Sequence, residues 1–132
     1  MIKTTQQGKF GEAIALKYLQ NRGYSLLHQN YYIRPGELDL IMQKNGIIVF
    51  VEVKLRLGKN FGSSAEALTA NKKRKLIRAI LTFLQTTQYH RWQLDFIAID
   101  YNQPTKTAQI QHFSNVLELW SHLMFNAKFG YG

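Results

Sequence analysis

The stretch Gly36-Glu37-Leu38-Asp39-Leu40-Ile41-Met42-Gln43-Lys44-Asn45-Gly46-Ile47-Ile48-Val49-Phe50-Val51-Glu52-Val53-Lys54-Leu55-Arg56 decides the fold. Two strand-like runs, Glu37 to Lys44 and Ile47 to Leu55, flank Asn45-Gly46. That dipeptide is the strongest short-range hairpin signal, because both central residues of the favoured turn need positive φ. With Asn45 and Gly46 at the turn, Lys44 faces Ile47, Asp39 faces Glu52 and Glu37 faces Lys54. One face then carries Leu38, Leu40 and Met42 opposite Val53, Val51 and Val49. The other continues from its charged end into Ile41, Phe50 and Ile48. A strand pair that is apolar on both faces belongs at the centre of a covered sheet.

At its open end the hairpin gathers Glu37, Asp39, Glu52 and Lys54. Opposed Cβ atoms lie roughly 4.5 to 5.5 Å apart, close enough for two carboxylates to share one cation. Like charges directly opposed are destabilising, and carboxylates at the rim of a core lose hydration, so something must compensate. Lys54 is one counter-charge. A divalent ion is the other, and hard carboxylate oxygens select Mg²⁺ or Mn²⁺. A salt-bridged square that only decorates the sheet end accounts for the spacing equally well.

Working outward, residues 8 to 22 place Phe10, Ile14 and Tyr18 on one helical face, with Gly23 at the C-cap. Tyr24 to Tyr32 suits a first strand ending before Pro35-Gly36. Gly58 to Ser64 reads as a loop, and a second helix from about Asn71 to Gln85 carries Leu76, Ile77, Ile80, Phe83 and Leu84. Strands follow at Trp92 to Asp100 and Thr107 to Phe113, and Ser114 is placed to cap a last helix bearing Val116, Leu117, Trp120, Leu123 and Met124. The order α, β, β, β, α, β, β, α predicts an α/β fold, one mixed sheet with helices on its faces. A single domain spans 1–126, with a loose tail at 127–132.

The chain has 132 residues, 45 % of them apolar, enough for one core without staples. No cysteine is present, which excludes disulfides, thiol catalysis and thiolate-bound zinc. No secretory signal or membrane span is evident, so a cytoplasmic protein without a membrane partner is expected. Seventeen Lys and Arg against eight Asp and Glu leave a net charge of +9. Nine of those cations (Lys54, Arg56, Lys59, Lys72, Lys73, Arg74, Lys75, Arg78 and Arg91) lie between positions 54 and 91, alongside the single acid Glu66. Lys72-Lys73-Arg74-Lys75 opens the second helix, where cations oppose the helix dipole, so a solvated helix start would not favour them. Phosphate contact through Arg56, Lys59, Lys72, Lys73, Arg74, Lys75 and Arg78 explains the choice, and nucleic acid is the expected partner. Tyr31, Tyr32 and Trp92 read as core aromatics, while Phe61 is the best placed to stack on a base. The four histidines show no metal-binding spacing.

Gly36-Glu37-Leu38-Asp39 followed by Val49-Phe50-Val51-Glu52-Val53-Lys54-Leu55-Arg56 resembles the core signature of the PD-(D/E)XK nuclease superfamily, and more closely the YraN family of small bacterial proteins. That family is itself similar to archaeal Holliday-junction resolvases. Gly11-Glu12-Ala13 resembles the family's first helix, Phe61-Gly62 its loop, and Lys72 or Lys73 its second helix. The resemblance implies a restriction-endonuclease-like fold and a Mg²⁺- or Mn²⁺-dependent endonuclease, on DNA sooner than RNA and on branched or structured DNA in particular. Asp39 and Glu52 would ligate the metal with the Val53 carbonyl, and Lys54 would hold or activate the attacking water. Glu12 would approach as an outer carboxylate, and Glu37 completes the catalytic group. A junction resolvase works as a symmetric dimer, so a homodimer stays open, with no dimer face legible. Two positions depart from the pattern: Leu38-Asp39 stands for Pro-Asp, and Gln93-Leu94-Asp95 for Arg-x-Asp, leaving Asp95 without a role. A non-catalytic nucleic-acid-binding module on the same scaffold is the alternative, and a structural interaction protein is a third.

Overall fold

A computed structural model of the chain describes residues 6–34, 36–58, 69–88 and 91–118. Helix α1 (Gln6–Gln20) is followed by β1 (Ser25–Ile33), β2 (Gly36–Lys44) and β3 (Ile47–Leu57). Helix α2 (Ala70–Leu84), β4 (Trp92–Asn102) and β5 (Thr107–Phe113) complete the order. The strands form one mixed sheet in the order β1-β2-β3-β4-β5, antiparallel except for the parallel pair β3 and β4 that α2 connects.

Local chemistry sets the boundaries. Gly23 sits at φ +89°, with Tyr24 N–H donating to Leu19 C=O and Gly23 N–H to Gln20 C=O, the paired bonds of a Schellman cap. Asn45 and Gly46 both have positive φ, as the two-residue hairpin turn requires. Thr69 caps α2, its hydroxyl accepting from Lys72 N–H. Ser114, the expected cap of a last helix, lies two residues before the helical turn that begins at Val116. The Ser114 hydroxyl accepts from Gln93, while Asn115 precedes the helical turn, its N–H donating to Asp95 and its side-chain amide to Glu118. Most of the expected last helix, the tail and the segment holding Lys59, Phe61 and Gly62 lie outside the described residues.

Two cores sandwich the sheet. One joins Leu40, Met42, Val49, Val51, Val53 and Leu55 to Ala15 and Leu19 of α1. The other joins Ile41, Ile48 and Phe50 to Leu76, Ala79, Ile80 and Phe83 of α2. Strict alternation puts Leu38 with Leu40 and Met42, but the structure puts it in the α2 core with Ile41 and Phe50. The alternation of β2 breaks between Leu38 and Leu40, at Asp39.

Close approach of α1 to β3 depends on Gly11. A Cβ there would stand 2.8 Å from Leu55 Cβ, closer than two stiff aliphatic atoms approach. Gly11→Val is therefore expected to lower the unfolding free energy by about 2 kcal/mol, through overpacking that no rotamer relieves. Urea titration reads this directly, and an unchanged midpoint would contradict the packing described.

Candidate active site

Turn register is kept from Lys44↔Ile47 to Leu40↔Val51, and there the ladder between β2 and β3 stops. Beyond it β2 stays with β1, pairing Leu38 with Tyr31 and Glu37 with Tyr32. Over the same stretch β3 stays with β4 as far as Leu57. The sheet forks, and the fork replaces the simple charged square expected from continuous pairing. Asp39 is not held by a backbone ladder to Glu52. Its carboxylate Oδ2 reaches across the seam and accepts the Val53 N–H at 2.9 Å. The N–H and C=O of one strand residue point to the same side, so the Val53 carbonyl also faces the fork.

A cleft of about 270 Å³ opens over the fork between the two helix N-termini. Glu37, Asp39, Glu52 and Lys54 all line it, as do Gln7 from α1 and Lys72 and Lys75 from α2. Asp39 is 2 % exposed, whereas Glu37, Glu52 and Lys54 are half-buried. Lys72 and Lys75 fall on one side of α2 because three residues is nearly one turn, and Leu76 and Ala79 below them press that turn onto the sheet. The chemistry gathered is three carboxylates, two of which, Asp39 and Glu52, join a strand carbonyl as a donor set for a hard cation, with three ammonium groups for an anion. Among the described residues no three His, Asp or Glu side chains form a metal cage. Two carboxylates suit Mg²⁺, which takes one or two from a protein and fills its shell with water and substrate phosphate.

The remaining expected residues are placed as follows. Glu12 is wholly buried in α1 and does not line the cleft. Lys73, Arg74 and Arg78 lie on α2 outside the cleft wall. Arg56 lines an adjoining groove with Gln7 and Lys54. Lys59 lies outside the described residues. Gln7 carries no sequence signal, yet its amide donates to Leu55 C=O at 3.2 Å and holds the start of α1 at the fork.

Asp95 acquires a structural place. It is wholly buried and accepts from Gln93 Nε2 at 2.8 Å, Asn115 N–H at 2.9 Å and His112 Nε2 at 2.7 Å. A carboxylate only accepts, so Nε2 carries a hydrogen toward Asp95, while Nδ1 stands 3.2 Å from the Tyr18 hydroxyl, within hydrogen-bond distance. Burial, and next the Asp95 charge, push the nearby Tyr24 phenol above its ordinary value. The signal for this knot was an acid between Leu94 and Phe96, on the strand face that carries Ile97 and Ile99.

A five-stranded mixed sheet flanked by helices, forked beside its acidic hairpin end, is compatible with the restriction-endonuclease-like fold. The chain belongs to the family described as "Uncharacterised protein family UPF0102", the YraN family, whose profile matches residues 11–99. It is similar to a UPF0102 protein of Sulfurihydrogenibium sp. (strain YO3AOP1), 39 % identical over 87 % of this chain and 96 % of that one. One from Legionella pneumophila (strain Philadelphia 1) is 47 % identical over 58 % of this chain and 64 % of its own. One from Photobacterium profundum is 39 % identical over 85 % and 90 % respectively. No helix among the described residues is long and apolar enough to cross a membrane.

Proposed function

We propose that the protein is a metal-dependent phosphodiester hydrolase, an endonuclease acting on nucleic acid and on DNA in particular. The observation that carries this reading is the common cleft of Asp39, Glu52 and Lys54 at the fork, walled by Lys72 and Lys75. Asp39, Glu52 and the Val53 carbonyl would hold Mg²⁺ or Mn²⁺, a donor set that fits a hard cation. Such an ion neutralises phosphate charge and makes water a better nucleophile near neutral pH. Val53 N–H fixes the Asp39 carboxylate, so its geometry does not have to be assembled on binding. Lys54 places an ammonium where negative charge grows on the phosphate, and it orients the attacking water. Lys72 and Lys75 hold the phosphodiester against a site that carries several acids. The test is strand scission of branched, flapped and linear DNA with Mg²⁺ or Mn²⁺: cutting of at least one substrate supports the reading, and none with either ion overturns it.

The lysines of the cleft wall would hold phosphate with or without chemistry, which also suits a second reading, a binding module without turnover. Both readings make α2 the phosphate-holding helix. Lys72→Ala and Lys75→Ala are each expected to reduce the slope of log K against log salt by about 0.9 on duplex DNA, one phosphate contact apiece. Arg74→Ala, outside the cleft, is expected to change it less. Equal slopes for all three variants and the wild type would remove α2 from the interface.

A further inference from the structure

After Val51, β3 has no strand on its β2 side among the described residues, yet it continues through Glu52 to Leu57 paired to β4 alone. An edge left this way presents a row of backbone N–H and C=O groups. Observed bonds fix which residues face it. Val53 N–H meets the Asp39 carboxylate and Leu55 C=O takes the Gln7 amide, whereas Ile48 N–H and Gly58 N–H turn toward the β4 side. Odd-numbered residues therefore face the fork, and the N–H groups of Leu55 and Leu57 point into the groove that Gln7, Lys54 and Arg56 line.

Three features suit that groove to an anion. The first N–H of the row, on Val53, already holds a carboxylate. The Leu55 carbonyl, which would repel an anion, is covered by the Gln7 amide. Arg56 sits between the two remaining N–H positions, and no ion pair joins it to its register neighbour Asp100 among the described residues. The spacing also fits. Like-facing residues recur about every 6.6 Å along a strand, close to the separation of neighbouring phosphates in one nucleic-acid chain. Gln7, Lys54 and Leu55 line both groove and cleft, so the two are continuous.

We propose that the open edge of β3 binds the phosphates that follow the one in the cleft, through Leu55 N–H, Leu57 N–H and the Arg56 guanidinium. The substrate is then a polynucleotide strand laid along β3, and a ligand with two neighbouring phosphates binds better than one with a single phosphate. This inference rests on the nucleic-acid reading above but needs no turnover. The test is amide NMR in EDTA with thymidine 3′,5′-bisphosphate, with thymidine 5′-monophosphate as comparison. The Leu55 and Leu57 amide signals are expected to move saturably with the bisphosphate, which binds about tenfold more tightly than the monophosphate. Arg56→Ala and the milder Arg56→Gln should each weaken the bisphosphate about fivefold or more while the rest of the amide spectrum stays in place. Stationary Leu55 and Leu57 signals, or equal affinities for the two ligands, would overturn the proposal. Scission of DNA with those amides unmoved would sink the groove and keep the nuclease. Moving amides in a protein that cuts nothing would keep the groove and sink the nuclease.

Discussion

Asp39→Asn is expected to lower DNA scission about 10³-fold or more while leaving DNA affinity within a few fold. The substitution keeps shape, and the amide oxygen can still accept the Val53 N–H. What changes is the second carboxyl position, which becomes an amide nitrogen with no lone pair for a cation. Losing a metal's charge stabilisation forfeits several kcal/mol of transition-state binding, and about 4 kcal/mol is roughly a thousandfold in rate. Affinity moves little, because removing a negative charge from a cleft that also presents Lys54, Lys72 and Lys75 does not weaken attraction for phosphate. Lys54→Ala is expected to cost about 10² to 10³-fold, the usual loss for one fixed donor at a developing charge. Single-turnover scission beside equilibrium binding separates these effects. A variant that loses affinity and rate in equal proportion would place its residue in substrate binding instead of chemistry.

Asp95→Ala is expected to lower the unfolding free energy by about 3 kcal/mol, a large share of the 5 to 15 kcal/mol typical of a domain. The change deprives His112 Nε2, Gln93 Nε2 and the Asn115 N–H of one shared acceptor. Each donor left dry costs more than its bond contributed. His112 keeps 14 % of its side chain exposed, so water recovers part of that cost, which holds the figure near the lower end for buried pairs. Asp95→Asn should cost less, about 1 to 2 kcal/mol. With its oxygen toward Gln93 and Asn115, its amide nitrogen can donate to His112 Nε2 once the ring takes the other tautomer. Urea unfolding of both variants tests this. Equal losses for Ala and Asn would mean that the acceptor chemistry of Asp95 is irrelevant to stability.

Much of the hairpin was legible because a two-residue turn leaves little freedom. Asn45-Gly46 fixed the register of Leu40 to Lys44 against Ile47 to Val51 as the structure has it. The fork was not legible. Pairing rules assume that a ladder continues, whereas here β2 follows β1 and β3 follows β4, so Asp39 reaches a backbone N–H and not the facing residue. The same break sends Leu38 to the α2 core against the alternation that holds for Ile41 and Met42. Glu37, Asp39, Glu52 and Lys54 nevertheless share one cleft, however the strands part. Gln7 and Asp95 escaped for a different reason. Their partners come from β3 in one case and from β5 with the residues after it in the other, and no local pattern connects those segments. The basic opening of α2 was visible as a run, but only its place on the sheet separates Lys72 and Lys75 from Arg74 and Arg78.

The proposed nuclease centre at the fork depends on a divalent cation. Its most direct measurement is single-turnover scission of a branched and linear DNA panel by the wild type and Asp39→Asn side by side, in Mg²⁺, in Mn²⁺ and in EDTA. The expected result is cutting by the wild type with either ion, none in EDTA, and none by the variant although it still binds. Cutting by Asp39→Asn at the wild-type rate, or binding by the wild type with no cutting under either ion, would contradict it.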